Sequence, residues 1–274
     1  MAARPRSRLL LALALPPIVV AYGTHRYLTV LETKYPARPP TSSGSAALGI
    51  PANPSTQHCA YVDIYSARVP LRSLQAHSKR LGLNENPKTN VELSTAWAQS
   101  LLGTRVFHAE SAIIGLFTKR RFDPGDMGDT PGEFSPDPQT GAPREIVNGA
   151  LVVERPPSNR EPYGLLVSWK IPDEARKFFE KISLWGYPWR LMSGGRHEMS
   201  VSEPFEGEGE EKALGPFVEV RFASAHDYET FPSEGGFENQ KELPKWSGRL
   251  HRGYARFLLD VAVRELEQES TLSK

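Results

Sequence analysis

KWSGRLHRGYARFLLDVAVRELEQ, residues 245–268, is the stretch on which the reading of the fold turns. Pro244 precedes it, and Trp246, Leu250, Tyr254, Phe257, Leu258 and Val261 recur at the three-and-four spacing that places them on one helical face. Arg249, Arg252, Arg256, Asp260, Arg264 and Glu267 fall largely on the other side, with Arg256/Asp260 and Asp260/Arg264 four apart, so that side is expected to be solvated and ion-paired. Each large side chain that the apolar face buries is worth about 1.5–3 kcal/mol, which makes the helix a principal contributor to any core. It needs a partner, and the rest of the chain offers a sheet.

The strands lie in the middle and later parts. Residues 59–69 read as a first strand bounded by Pro70, and residues 146–155 and 163–171 as two β-rich runs joined by a proline-rich connection. Residues 190–192 and 197–203 flank Ser193-Gly194-Gly195-Arg196, which is expected to be a hairpin turn, and residues 217–226 form the last strand. Helices are expected from a Thr89 or Asn90 cap through Leu93, Trp97 and Leu101 to Gly103, over residues 109–117, and over residues 173–183. Glycine and proline crowd residues 122–143, which read as a long loop.

One long helix across a curved antiparallel sheet is a two-layer α+β solution. The order of elements between Tyr61 and Glu265, with the turn at residues 193–197 and the closing helix as its clearest pieces, resembles the helix-grip, or START-like (SRPBCC-type), superfamily of hydrophobic-ligand-binding and cyclase proteins. The resemblance implies a ligand space between sheet and last helix. No residue motif carries it, so no functional residue is transferred.

Composition narrows the partners. A chain of 274 residues can bury a full core, and a net charge of +1 with 24% charged residues speaks against a polyanion-binding surface, so nucleic acid is not an expected partner. The single cysteine, Cys59, forms no internal disulfide and supports no multi-cysteine metal site.

The N-terminus is more informative. Arg4, Arg6 and Arg8 precede the apolar run of residues 9–22, and no acid appears before Glu32. Bilayer crossing takes about 20 apolar residues, so the run needs residues 23–31 as well, with His25 and Arg26 snorkelling to the interface. The expected organisation is a membrane anchor or targeting segment at residues 1–35, a Pro/Ser/Gly-rich linker at 36–57 and one α+β domain at 58–274. Single-pass attachment through residues 9–31 to a mitochondrial or endoplasmic reticulum membrane is the leading expectation, and a removed presequence the alternative. Secretion is weaker, because Asn53-Pro54-Ser55 carries the proline that glycosylation excludes.

Strand phase locates the candidate site. Val218, Val220, Phe222, Ser224 and His226 share one face, as do Met199 and Val201 with His197, and Leu165 and Val167 with Trp169. If the last helix closes over that face, Tyr254 adds a hydroxyl. Trp169, His197, His226 and Tyr254 are therefore the expected ligand contacts, with an apolar small molecule or lipid as partner and no cofactor. The alternative is a cyclase, isomerase or dehydratase using His197 or His226 as its base, and a third reading is a membrane-associated scaffold. Asp123, Asp126 and Asp129 lack the spacing of a helix-loop-helix calcium site. His197-Glu198 lacks a second histidine for zinc, and Cys59 reads as structural rather than nucleophilic.

Overall fold

The computed structural model describes residues 5–40, 46–82, 87, 89–117, 126–129, 134–160, 164–209, 212 and 215–272, with side chains described from residue 19 to residue 268 within those ranges except at Phe117. Its helices are α1 (Pro5–Lys34), α2 (Leu71–Arg80), α3 (Asn90–Leu102), α4 (Arg105–Phe117), α5 (Asp173–Leu184) and α6 (Lys245–Leu272). Its strands are β1 (Gln57–Pro70), β2 (Glu145–Ile146), β3 (Leu151–Arg155), β4 (Leu165–Lys170), β5 (Gly194–Val201) and β6 (Phe217–Glu229).

All strands pair antiparallel in one curved sheet of order β1-β6-β5-β4-β3-β2. The strands from β2 to β6 follow one another as neighbours, and β1 closes the edge beside β6. The molecule is α+β, as the pattern of elements predicts.

One sheet face carries the main core. Tyr65, Val69, Val218, Val220, Phe222, Met199, Val201, Val167 and Leu165 lie there under α2, α3 and α6. Thr89 caps α3 through the reciprocal Thr89/Glu92 capping box, and Trp97 pins that helix to the sheet by donating its indole N–H to the Arg221 carbonyl at 2.9 Å.

The covered stripe of α6 differs from the expected one. Ala255, Leu258, Leu259, Ala262, Val263 and Leu266 are buried, whereas Trp246 is 63% and Leu250 43% exposed. Small Ala255 and Ala262 let the helix axis approach the sheet, so size alone misreads the face. Arg256 and Asp260, expected in solvent, are buried because α1 lies against that side. Arg256 donates to the Tyr35 carbonyl at 2.8 Å, and Asp260 accepts from Lys34 at 2.7 Å and Tyr35 at 2.9 Å. Leu28 and Leu31 of α1 are buried too, Leu28 packing where α6 has Gly253.

Three further differences have local causes. Residues 193–196, expected as a turn, lie within or just before β5, because a Cβ at Gly195 would fall 2.7 Å from the Trp169 ring and 2.1 Å from the Ala225 carbonyl. The glycine serves close packing rather than a reversal. The run 146–155 breaks at Val147 and Asn148, whose φ angles of 54° and 57° turn the chain between β2 and β3. Within residues 36–57, Leu48 is buried on the other sheet face with Ile64, Leu166, Ala223 and Ala225, so part of the segment packs on the domain.

Among the described residues no helix is long and apolar enough to cross a membrane. α1 runs as one helix through Pro16 and Pro17.

Candidate functional site

Register decides which side chains meet. Tyr61 stands opposite His226, His226 opposite Gly195, and Gly195 opposite Trp169; in a neighbouring row Asp63, Ser224, His197 and Val167 align. Opposed residues in a sheet share a face, so both rows point where the core points. Three of the expected contacts, Trp169, His197 and His226, come together there. Trp169 stacks on His197 with centroids 5.9 Å apart and meets His226 edge-on at 6.0 Å, while Tyr61 stacks on the other side of His226 at 4.5 Å. Gly195 leaves the room into which Trp169 folds.

The fourth residue goes elsewhere. Tyr254 is half-buried on α6, and its hydroxyl donates to Glu110 Oε2 of α4 at 2.7 Å. It tethers α4 to α6 and brings no hydroxyl to the imidazoles.

The helix supplies a residue that the stripe of large side chains hides. His251 precedes Ala255, Leu258 and Ala262 by four, seven and eleven positions, the spacing of one face, and its Nε2 lies 2.6 Å from His226 Nε2. Such a contact needs one N–H and one lone pair, so the two rings cannot both be cations. Ser224 Oγ stands 3.3 Å from the same His226 nitrogen.

Burial governs the protonation of these groups. Desolvation, with the nearby His251, takes the His197 pKa down to about 3. Desolvation, then His251, His197, Arg252 and Arg196, takes His226 to about 2. His251 is lowered by burial and by Arg252, and burial raises Asp63. The imidazoles are neutral at neutral pH.

Four polar atoms around this aromatic stack have no hydrogen-bond partner among the described residues: Asp63 Oδ2, Trp169 Nε1, His197 Nδ1 and His226 Nδ1. Buried polar atoms are ordinarily paired, and each left unmade costs about 1–3 kcal/mol. Trp169, His197, Tyr61 and Asp63 are half-buried.

Two clefts open on the surface. One of about 200 Å³ is lined by His77, Arg80, Gln99 and Glu265, and one of about 270 Å³, lined by Gln57, Trp169, Gly194, Gly195, Asp227 and Glu229, reaches the candidate site at Trp169. None of the three clustered histidines lines either.

The weaker candidates are otherwise engaged. Asp126 accepts a bidentate pair from Arg144, and Asp129 pairs with His108 at 2.9 Å; Asp123 lies outside the described residues. No group of histidine, cysteine and acid side chains that could hold a metal ion occurs among the described residues. Burial pushes the Cys59 thiol up, which withholds the thiolate that a nucleophile needs. No protein-family model, characterised protein or solved structure matches the chain, so the site is read from its own chemistry.

Proposed function

We propose that the protein binds a neutral apolar small molecule or lipid between the concave sheet face and α6, in a helix-grip arrangement. The observation that carries this reading is the set of unpaired polar atoms on Asp63, Trp169, His197 and His226 around a stack of rings beneath the helix. An apolar enclosure with a few converging polar groups is the usual form of a small-molecule site. The topology supports it as well: β1 comes first and closes the edge beside the last strand, and the C-terminal helix crosses the covered face.

The charge state selects the ligand. Neutral imidazoles offer hydrogen bonds without a charge of their own, and the Asp63 carboxyl offsets the charge of Arg252 at the site. Arg256, the guanidinium over the Tyr65 ring at 4.2 Å, is already bonded to the Tyr35 carbonyl. A hydroxyl- or carbonyl-bearing ligand therefore fits better than a fatty acid carboxylate.

A second reading is an enzyme of the cyclase, isomerase or dehydratase type with His197 or His226 as base. The 2.6 Å His226–His251 contact favours it, because a proton accepted by one ring could pass to the other. The low imidazole pKa values oppose it, since a base works best with a pKa near the operating pH.

Attachment to a membrane belongs to the proposal, through the part of the expected span 9–31 that precedes His25. Arg249 binds Glu32 at 2.8 Å and His25 at 2.7 Å, so residues from His25 onward serve the domain and the tether acts through those before it.

Competition between oleyl alcohol and oleate at pH 7.5 tests the ligand class. The alcohol is expected to bind at least about tenfold more tightly, a difference of about 1.4 kcal/mol. Equal or tighter binding of the carboxylate would reject a neutral ligand.

A further inference from the structure

The end of the sheet that holds the site is also where aromatic surface is left uncovered. Lys170 pairs with Gly194, Gly194 with Asp227, and Glu229 with Gln57, so the end of β4, the start of β5, the end of β6 and the start of β1 lie together. Two connections cross this end, residues 171–193 and residues 230–244. Arg190 clamps them by donating to the Glu229 carbonyl at 3.1 Å, by pairing with Glu234 and by lying 3.7 Å over the Phe231 ring. Lys241 adds a bond to the Ser183 carbonyl at 2.6 Å.

Held in this way, the connections and the start of α6 expose Trp185 (75%), Tyr187, Trp189, Phe237 (65%) and Trp246 (63%). Water is a poor neighbour for so much ring surface at one end of a domain. The rings lie beside cations: Lys181 Nζ sits 5.2 Å from the Trp185 ring, and Lys245 is exposed next to Trp246. Tryptophan and tyrosine with flanking lysine is the composition that settles at the headgroup level of a bilayer, where an amphipathic ring has one apolar and one wet side.

The direction of α1 points to the same neighbour. His25 lies beside Arg249, Leu28 beside Gly253 and Lys34 beside Asp260, so α1 runs parallel to α6. Its residues before His25 therefore project past the first turn of α6, at the aromatic end. Val19, Val20 and Tyr22 are exposed there, and the apolar run of residues 9–18 continues beyond them.

We infer that this aromatic rim, centred on Trp185, Trp189 and Trp246, docks into the headgroup layer of a phospholipid bilayer beside the N-terminal helix. The inference rests on the tether only for bringing the domain to a membrane. Its consequence is that the row of Tyr61, His226 and Trp169, close to the rim along the strands, faces a membrane source of apolar ligand.

The tryptophans themselves report on the rim. Of the five in the chain, Trp97 is fully buried and Trp169 lies in the candidate site, so with Trp169→Phe carried in every protein tested, Trp185, Trp189 and Trp246 report on the rim. The full-length protein is mixed with phosphatidylcholine vesicles, with or without bromine on the acyl chains near the headgroup, and both sedimentation and tryptophan emission are read. The expected result is cosedimentation with a blue shift, strong quenching by the brominated lipid, and loss of that quenching in the W185F/W189F/W246F variant. Cosedimentation with unshifted, unquenched emission would overturn the rim, leave the tether standing and turn the surface toward a protein partner. Quenching that persists in the triple variant would also overturn the rim, and absence of cosedimentation would overturn rim and tether together.

Discussion

Asp227→Ala is expected to destabilise the protein by about 3–5 kcal/mol, the cost of leaving one member of a buried ion pair without its partner. Arg196 and Asp227 form two bonds of 2.7 Å with side chains only 6% and 3% exposed, and Arg196 Nε also donates to the Leu48 carbonyl at 2.7 Å. The arrangement ties β5 to β6 and fastens residues 46–49 onto the sheet face opposite the site. Deleting the carboxylate leaves a guanidinium out of water with the Leu48 carbonyl and the weakly accepting Cys59 sulfur. Replacing both partners, Arg196→Met with Asp227→Leu, removes the charge as well and is expected to cost far less than Asp227→Ala alone. Urea denaturation followed by circular dichroism compares the two. A loss below about 1 kcal/mol for Asp227→Ala would contradict the burial of the pair.

Acidification is expected to destabilise the fold well before the carboxylates titrate. His197 and His226 have folded pKa values of about 3 and about 2, against about 6.5 in an unfolded chain. Between these limits the unfolded state takes up protons that the folded state refuses. The stabilisation is therefore complete above about pH 6.5 and is lost as pH falls below it. From pH 7.5 to pH 5.5 each of the two rings removes about 1.4 kcal/mol, for about 3 kcal/mol together. Burial holds them neutral first of all, followed by His251 for both rings and by His197, Arg252 and Arg196 for His226. Denaturation curves at the two pH values measure the effect, and His197→Leu should remove about 1.4 kcal/mol of the pH-dependent loss whatever it does to stability at pH 7.5. A stability that is flat across this window would mean that the rings are solvated.

Strand phase was the most legible part of the chain, for a geometric reason. Alternation by two is insensitive to what lies above the sheet, so Ser224 and His226 could be placed with Phe222, His197 with Met199, and Trp169 with Val167 before any partner was known. The helix was less legible because the buried face of α6 is chosen by fit. Ala255 and Ala262 face the sheet, larger Trp246 and Leu250 do not, and His251 was hidden with the small residues. Neighbours distant in sequence were not legible at all. Nothing local to Arg256 or Asp260 announces that Tyr35 and Lys34 will cover them, and nothing local to Leu48 announces the hole between Ile64 and Ala223. Gly194-Gly195 misled for a related reason, since a glycine pair in a turn and a glycine pair under an indole look alike in one dimension.

The proposed ligand space under α6 is open to titration with the neutral apolar fluorophore Nile red. Wild-type protein should bind one probe per chain with saturable emission, and the Trp169→Ala/His197→Ala variant, which removes the stacked wall, should bind at least about tenfold more weakly while keeping its circular dichroism spectrum. Non-saturable binding, or equal affinity in the two proteins, would mean that no ligand space lies there.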